Sequence, residues 1–368
     1  MKTAFEYILL ISPEAWGKNR LSKHHYASFL AENHQVIFLN PAIGFSKIPF
    51  GKMEIKREEV AHNFTVITYK NILPRLNHWP LFVRRFAYKI QAKRIVKFLG
   101  QSPGLVWSFD PRRFSDQRVW NSGRAIYHSV DLHPGSSEKE MVQHSDLVVG
   151  LSDLICDDLK KLGAHPFQTG HGCHVDSANT ASLTLPGENK LKAIYTGNFH
   201  QHVDYGLLIQ LAAENANCDF ILVGPVEPSN ISSKTLNQED LQKLKRQKNV
   251  FLAGSVSGDE LPAYLNAADI CLVLFKKEFE DVHHAPHKMM AYFASGKVIL
   301  ANHMSGYQGL SEDLVIITPQ VDIPKRFSEI LMNLYVFNAP EKMQLRRNYA
   351  AANHYRIKIR QILGKLLS

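Results

Sequence analysis

Apolar residues in this chain cluster in short dense runs, separated by stretches where they recur every third or fourth position. Tyr7–Ile11, Val36–Leu39, Val66-Ile67, Leu105–Ser108, Ala125–His128 and Asp146–Val149 are such runs. They read as strands of a parallel sheet, whose two faces are both covered and which therefore need no polar alternation. Between the first two, Tyr26, Phe29 and Leu30 give Lys23–Asn33 helical spacing, so the chain opens as a βαβ unit. Glu138–His144 and the stretch from an Ser152 N-cap to Leu162 continue the alternation as helices. Ile48–Thr68 is polar and basic before Val66-Ile67 and predicts no further strand.

The pattern then starts again. Residues 177–190, rich in Ser, Thr, Asn and small side chains, read as a linker. Beyond them Leu191–Tyr195, Phe220–Val223, Val250–Leu252, Ile270–Phe275 and Val298–Ala301 predict strands, while Tyr205–Ala213, Ser257–Ala267 and His287–Ser295 predict helices. Arg346–Leu367 carries Tyr349, Tyr355, Ile359, Ile362 and Leu366 at roughly helical spacing. The expected architecture is α/β, with two Rossmann-like domains at 1–176 and 191–345 and a closing helix in 346–368.

Ligands of open α/β sheets bind at the carboxyl ends of strands, which makes the strand-end loops the place to look for chemistry. In the first domain those ends carry Asp110, in Ser108-Phe109-Asp110-Pro111, and Asp131, which follows His128 and precedes His133. A carboxylate there could take the proton of an acceptor hydroxyl, with His128 as a rival; each Asp could equally cap a turn. In the second domain Gly197-Asn198, Gly224 and Gly254 follow successive strands, and glycine at a strand end lets a ligand approach the backbone closely. No G-x-G-x-x-G is present, so the dinucleotide fingerprint is missing.

Composition narrows the classes. With 368 residues, 45% apolar and 21% charged, the chain is long enough for two domains and has ordinary globular composition. Four cysteines without a C-x-x-C pair argue against a disulfide framework or thiolate zinc site and favour a reducing cytoplasm. His171 and His174 have metal-like spacing but no partner set, and no metal site is expected. No apolar window is long enough to span a bilayer. The net charge of +9 is concentrated: residues 1–100 hold 16 Lys+Arg against 6 Asp+Glu, the remainder 27 against 28. Within Leu73–Leu99, Arg85, Lys89, Lys93 and Lys97 recur every fourth residue, Val83, Phe86, Ala87 and Ile90 line another side, and Trp79 and Phe82 precede them. Such a helix suits an anionic membrane interface, or packs its apolar side on the sheet; the two readings are compatible.

The densest chemistry lies in His283–Asn302. Pro286 suits a first helical turn and Gly296 a left-handed C-terminal stop, so Lys288 falls in the first turn of a short helix that leads to a buried strand. A helix N-terminus favours an anion, and an ammonium beside it makes a better diphosphate site than either feature alone; the plainer alternative is a solvated surface lysine.

Pro286, Lys288, Tyr292, Ala294, Gly296, Lys297 and Val298 make this segment resemble the donor-nucleotide stretch of GT-B glycosyltransferases, which often reads P-x-K-x-x-E-Y-x-A-x-G-K-P-V-V. Ala291 stands where that family usually has a ribose-binding glutamate, and Val298-Ile299 where Pro-Val-Val is usual. The stretch Asn249–Phe275 resembles the family's N-V-x-F-x-G-x-V-x-x-x-E-L-P-x-Y-L-x-x-A-D, and Ser12-Pro13 with Trp16 and Asn40-Pro41 resembles the opening of bacterial polysaccharide-assembling members.

The resemblance implies two domains facing each other across a cleft, and a final helix that returns to the first domain. It implies a donor site of Gly197, Asn198, Gly224, Ser255, Val256, His287, Lys288, Met289 and Tyr292, with Ser255 and Val256 at the nucleobase edge and Lys288 on the diphosphate. Asp131 matches the family's acidic residue after its strand, with Asp110 as second choice. The implied activity is transfer of a sugar from a UDP or GDP type donor to a glycan or lipid-linked acceptor in cell-envelope polysaccharide synthesis, without a metal or other cofactor and without nucleic acid. The absence of any D-x-D sequence agrees with that. The expected location is cytoplasmic, peripheral on the cytoplasmic membrane face through the N-terminal domain. A sugar-nucleotide epimerase of the same fold and a non-catalytic nucleotide-sugar-binding relative are the alternatives.

Overall fold

The computed structural model describes residues 5–17, 20–43, 53–133, 136–174, 183–199, 201–225, 238–279, 285–302 and 304–368. Lys18, residues 177–182 of the linker, and His283 and His284 lie outside them. The chain divides into two compact units, Met1–His171 with Tyr355–Ser368, and Gly172–His354. The first unit therefore ends ahead of Asp176, and the chain rejoins it at Tyr355 instead of Arg346.

The first unit is built on eight strands: β1 (Ile8–Ile11), β2 (Val36–Leu39), β3 (Ile55–Ala61), β4 (Phe64–Tyr69), β5 (Leu105–Ser108), β6 (Arg124–Ser129), β7 (Leu147–Gly150) and β8 (Phe167–Gln168). Their order across the sheet is β3-β4-β2-β1-β5-β6-β7-β8, parallel except for the β3–β4 pair. β1, β2, β5 and β7 are buried at every position, as the unbroken apolar runs require. β3, Ile-Lys-Arg-Glu-Glu-Val-Ala, is a strand that the pattern did not predict: it is an exposed edge with no buried face to impose alternation.

The second unit holds β9 (Leu191–Thr196), β10 (Cys218–Val223), β11 (Val250–Gly254), β12 (Ile270–Val273), β13 (Val298–Ala301) and β14 (Ile316–Ile317), in the order β11-β10-β9-β12-β13-β14. Every neighbouring pair is parallel. From β9 the chain winds outward through β10 and β11, then returns to the other side of β9 with β12. The order thus reverses between β9 and β12, as it does between β1 and β5 in the first unit. At such a point the two flanking connections leave on opposite faces and open a crevice above the strand ends.

The expected single C-terminal helix is two helices, Pro340–Ala352 and Tyr355–Leu367. They part at Asn353, whose carbonyl accepts from Cys173 N–H at 2.8 Å instead of continuing the helix. The first packs on Lys288–Ser295 in the second unit. The second buries Tyr355, Ile359, Ile362 and Leu366 in the core of the first, against the Ser22–Ala31 helix.

Candidate active site

The ends of β11, β10 and β9 are tied to one another by backbone bonds from glycines: Gly224 N–H donates to Gly254 O at 2.8 Å, and Gly197 N–H to Val223 O at 2.9 Å. Gly224 has φ +153°, and a Cβ on it would stand 1.9 Å from the Gly197 carbonyl oxygen. No other residue fits there. Adjacent strands are about 4.8 Å apart, so a line from β11 to the β9–β12 reversal spans roughly 10–15 Å. Asn198 is half-buried just past Gly197; Ser255 is exposed and Val256 half-buried just past β11.

Lys288 begins the helix Lys288–Ser295, which follows His287 without a side-chain cap bond and is ended by Gly296 at φ +79°. Its Nζ donates to Thr196 O at 3.0 Å, at the end of β9. The same amine lies 3.8 Å from the centre of the Tyr195 ring and 5.0 Å from that of Phe275, which follows β12. Lys288 therefore stands at the strand-order reversal, beside Gly197, where a Cβ would meet its Nζ at 3.7 Å. Among the described residues it makes no ion pair. Desolvation lowers its pKa from 10.5 to about 7. Although the residue as a whole is half-buried, its amine is in dry surroundings.

Two residues of the expected donor site take other roles. The Tyr292 hydroxyl accepts from Thr196 N–H at 2.9 Å and donates to Leu272 O at 3.2 Å, pinning the helix to β9 and β12. Its ring is fully buried and offers no face to a ligand. The Met289 side chain is likewise buried in the core, and its N–H donates to Pro286 O at 3.2 Å. Both are scaffold. His287 is half-buried at the helix start.

In the first unit the three nominated groups separate. His128 is fully buried, stacked on Phe109 at 4.7 Å and edge-on to Tyr26 at 5.1 Å, and neither ring nitrogen has a hydrogen-bond partner. Burial pushes its pKa down to about 3, so it is a neutral core aromatic and no proton acceptor for a substrate. Asp110 is also buried, and its carboxylate is consumed: Arg113 Nε donates to it at 2.6 Å and Arg112 N–H at 3.0 Å. Arg113 further donates to Asn40 O at 2.9 Å, to the Tyr69 hydroxyl at 3.0 Å and to Ser12 O, clasping the ends of β1, β2 and β4. Asp131 alone has an exposed carboxylate, on the loop after β6 where Ser129 Oγ donates to its carbonyl at 3.0 Å.

Sequence reasoning missed Arg113 and Glu138. The latter is buried and accepts from the Tyr127 hydroxyl at 2.5 Å and Ser129 Oγ at 3.3 Å, bracing the loop that carries Asp131. Neither has a periodic signature. The basic helix, Leu81–Leu99, buries Ala87, Tyr88, Gln91, Ala92 and Ile95. Phe86, expected on the inward side, is 67% exposed beside Phe82 at 73%, with Lys89 and Lys93 adjoining. Arg85 is paired with Glu140 at 2.6 Å and does not belong to the free cations.

No family model matches the chain. A curated protein of Bacillus subtilis (strain 168), named as the teichuronic acid biosynthesis glycosyltransferase TuaH, is 23% identical over 98% of this chain and 97% of its own length. Among solved structures, sucrose-phosphate synthase from Thermosynechococcus elongatus matches with TM-score 0.68 at 16% identity, covering 98% of this chain and 99% of the other. The trehalose-6-phosphate structure from E. coli bound with UDP-2-fluoro glucose matches at 0.71 and 9%, covering 98% of each. A glycosyltransferase from Rickettsia africae ESF-5 matches at 0.69 and 14%, again over 98% of each. With two parallel-sheet units over essentially its full length, this chain has the fold of the GT-B glycosyltransferases.

Proposed function

We propose that this chain is a glycosyltransferase that moves a sugar from a UDP or GDP type donor to a glycan or lipid-linked acceptor in cell-envelope polysaccharide synthesis. One observation carries the reading: a lysine unpaired with any described carboxylate stands at the strand-order reversal of the second unit, beside glycine-ended strands. That is a seat for a diphosphate, with Ser255 and Val256 at the nucleobase end of the same row. The name of the Bacillus relative and the UDP-sugar in the E. coli neighbour support the same substrate class.

In the reaction a bond forms from the acceptor oxygen to the sugar's anomeric carbon, and the bond from that carbon to the diphosphate oxygen breaks. The electron pair leaves with the nucleotide, and Lys288 offsets the charge that develops there, without a metal. The hydroxyl proton goes to Asp131.

The protein works at the cytoplasmic membrane face, held by the exposed side of Leu81–Leu99. Among the described residues no helix is long and apolar enough to cross a membrane. The attachment we propose is peripheral, through the cations and exposed aromatic rings of that helix. Incubation with UDP-, GDP- and dTDP-sugars and a lipid or glycan extract tests the function. Nucleotide release with extension of the extract is expected. An isomerised donor would make the chain an epimerase, and binding without turnover a non-catalytic relative.

A further inference from the structure

We propose that Tyr195 and Phe275 are positioning residues for Lys288: two aromatic faces that hold its ammonium at the strand-order reversal, where no carboxylate among the described residues pairs with it. The inference rests on the reading of Lys288 as the ligand of the donor diphosphate.

Both rings are fixed by the sheet. Tyr195 is the penultimate residue of β9, paired with Leu222 of β10 and Leu272 of β12, and is buried. Phe275 lies just beyond β12, where Asn302 locks its backbone from both sides. Phe275 N–H donates to Asn302 Oδ1, and Asn302 Nδ2 donates to Phe275 O, each at 2.8 Å. The Lys288 amine lies 3.8 Å from the first ring centre and 5.0 Å from the second, inside the roughly 6 Å reach of a cation–π contact. Its third partner is the Thr196 carbonyl. Tyr292, the titratable group of its own helix nearest to this point, bonds Thr196 and Leu272.

A carboxylate would hold the ammonium more firmly, but it would repel an arriving diphosphate and its ion pair would have to break. A ring attracts the cation through its quadrupole and carries no net charge, so the full positive charge stays available to the ligand. The rings also favour the charged amine over the neutral one, opposing the effect of burial.

Calorimetric binding of UDP-glucose, GDP-mannose and dTDP-glucose between about pH 6 and about pH 8.5 tests this, using Phe275→Leu, Tyr195→Leu, Tyr195→Phe and Lys288→Ala. Each leucine variant should bind about five- to tenfold more weakly near neutrality. Each should also lose affinity from a lower pH than wild type, because the charged amine has lost a ring. Tyr195→Phe, which keeps the ring, should retain the wild-type affinity and pH profile. General loosening would reduce the active fraction without moving the pH profile. Wild-type binding and pH dependence in Phe275→Leu, with binding lost in Lys288→Ala, would overturn this inference and leave the role of Lys288 standing. Normal binding in Lys288→Ala, or no binding of any probe by wild type, would overturn both. If Tyr195→Leu does not fold, Phe275→Leu decides.

Discussion

On the proposed reading, Lys288 links donor binding to its own protonation. With its pKa near 7 in the unliganded protein, a diphosphate that needs the ammonium must raise it again. Affinity for a nucleotide sugar should therefore be highest below pH 7 and fall by about tenfold per unit above it, until the pKa of the complex is reached. Flat affinity across that range would contradict the dry lysine. Lys288→Ala should lower kcat/KM by about two to three orders of magnitude, the usual loss of one electrostatic donor. The sign for stability is opposite. A folded-state lysine pKa held below the unfolded value of 10.5 means that the charged form costs stability fully below pH 7, and that the cost is relieved as pH rises from 7 to 10.5. Lys288→Met should raise Tm at pH 7, with the gain shrinking in more alkaline buffer, a trade of stability for function measurable by calorimetry. In the first unit, Asp131→Asn should cut kcat by about 10²–10⁴ while leaving donor binding unchanged. Wild-type turnover in that variant would remove Asp131 as the base; Asp110 and His128, enclosed as they are, are no replacements.

The helix Lys288–Ser295 is only two turns long, so its placement comes from what holds its ends. At the far end Gly296 turns left-handed, and a Cβ there would stand 2.9 Å from Met343 O and from Arg347 Nε. Arg346, fully buried, donates to Gly296 O at 3.0 Å and to Phe337 O at 2.9 Å, while Arg347 donates to Ser295 O at 3.1 Å. Two cations thus meet the negative end of the helix whose positive end carries Lys288. Arg346→Met would strand the buried Gly296 carbonyl, at about 1–3 kcal/mol, and free the part-buried Phe337 carbonyl at a smaller cost. Chemical denaturation should show a loss of about 1–4 kcal/mol; a neutral outcome would mean that the carbonyls find other donors. Pro286 and Gly296 mark this element in the sequence, but the arginines lie some fifty residues away, within a run that shows only helical spacing.

At the scale of the whole molecule, the first unit depends on the end of the chain. Tyr355 and Ile362 are fully buried in its core, and each large apolar side chain so placed contributes about 1.5–3 kcal/mol. A protein ending at His354 should therefore lose most of the roughly 5–15 kcal/mol typical of a domain, seen as a lower first transition on heating. The exposed face of Leu81–Leu99 makes a second demand. Lys89→Ser with Lys93→Ser should reduce sedimentation with anionic vesicles, as should added salt, because each cation near such a surface contributes about 1 kcal/mol. Phe82→Ser with Phe86→Ser should reduce it even in low salt. Equal binding to neutral and anionic vesicles would rule out the electrostatic part.

The sequence by itself determined what short-range pattern can determine. Unbroken apolar runs such as Val36–Leu39 and Val298–Ala301 had to be doubly covered strands, so two parallel α/β units followed, and Pro286 with Gly296 bounded the helix that carries Lys288. The resemblance to glycosyltransferases was legible for the same local reason. What only the tertiary structure decided depends on contacts between residues far apart in the chain. Whether a strand-end Asp is free or bonded turns on Arg113, which reaches strands more than forty residues distant in sequence, and so Asp110 and Asp131 look alike until the chain is folded. His128 ends a strand in the sequence, yet three aromatic neighbours from elsewhere enclose it. The surroundings of Lys288 are of this kind too: β9, the residues just past β12 and the helix supply one ring, another ring and the amine, and only their packing makes a dry cation of an ordinary lysine.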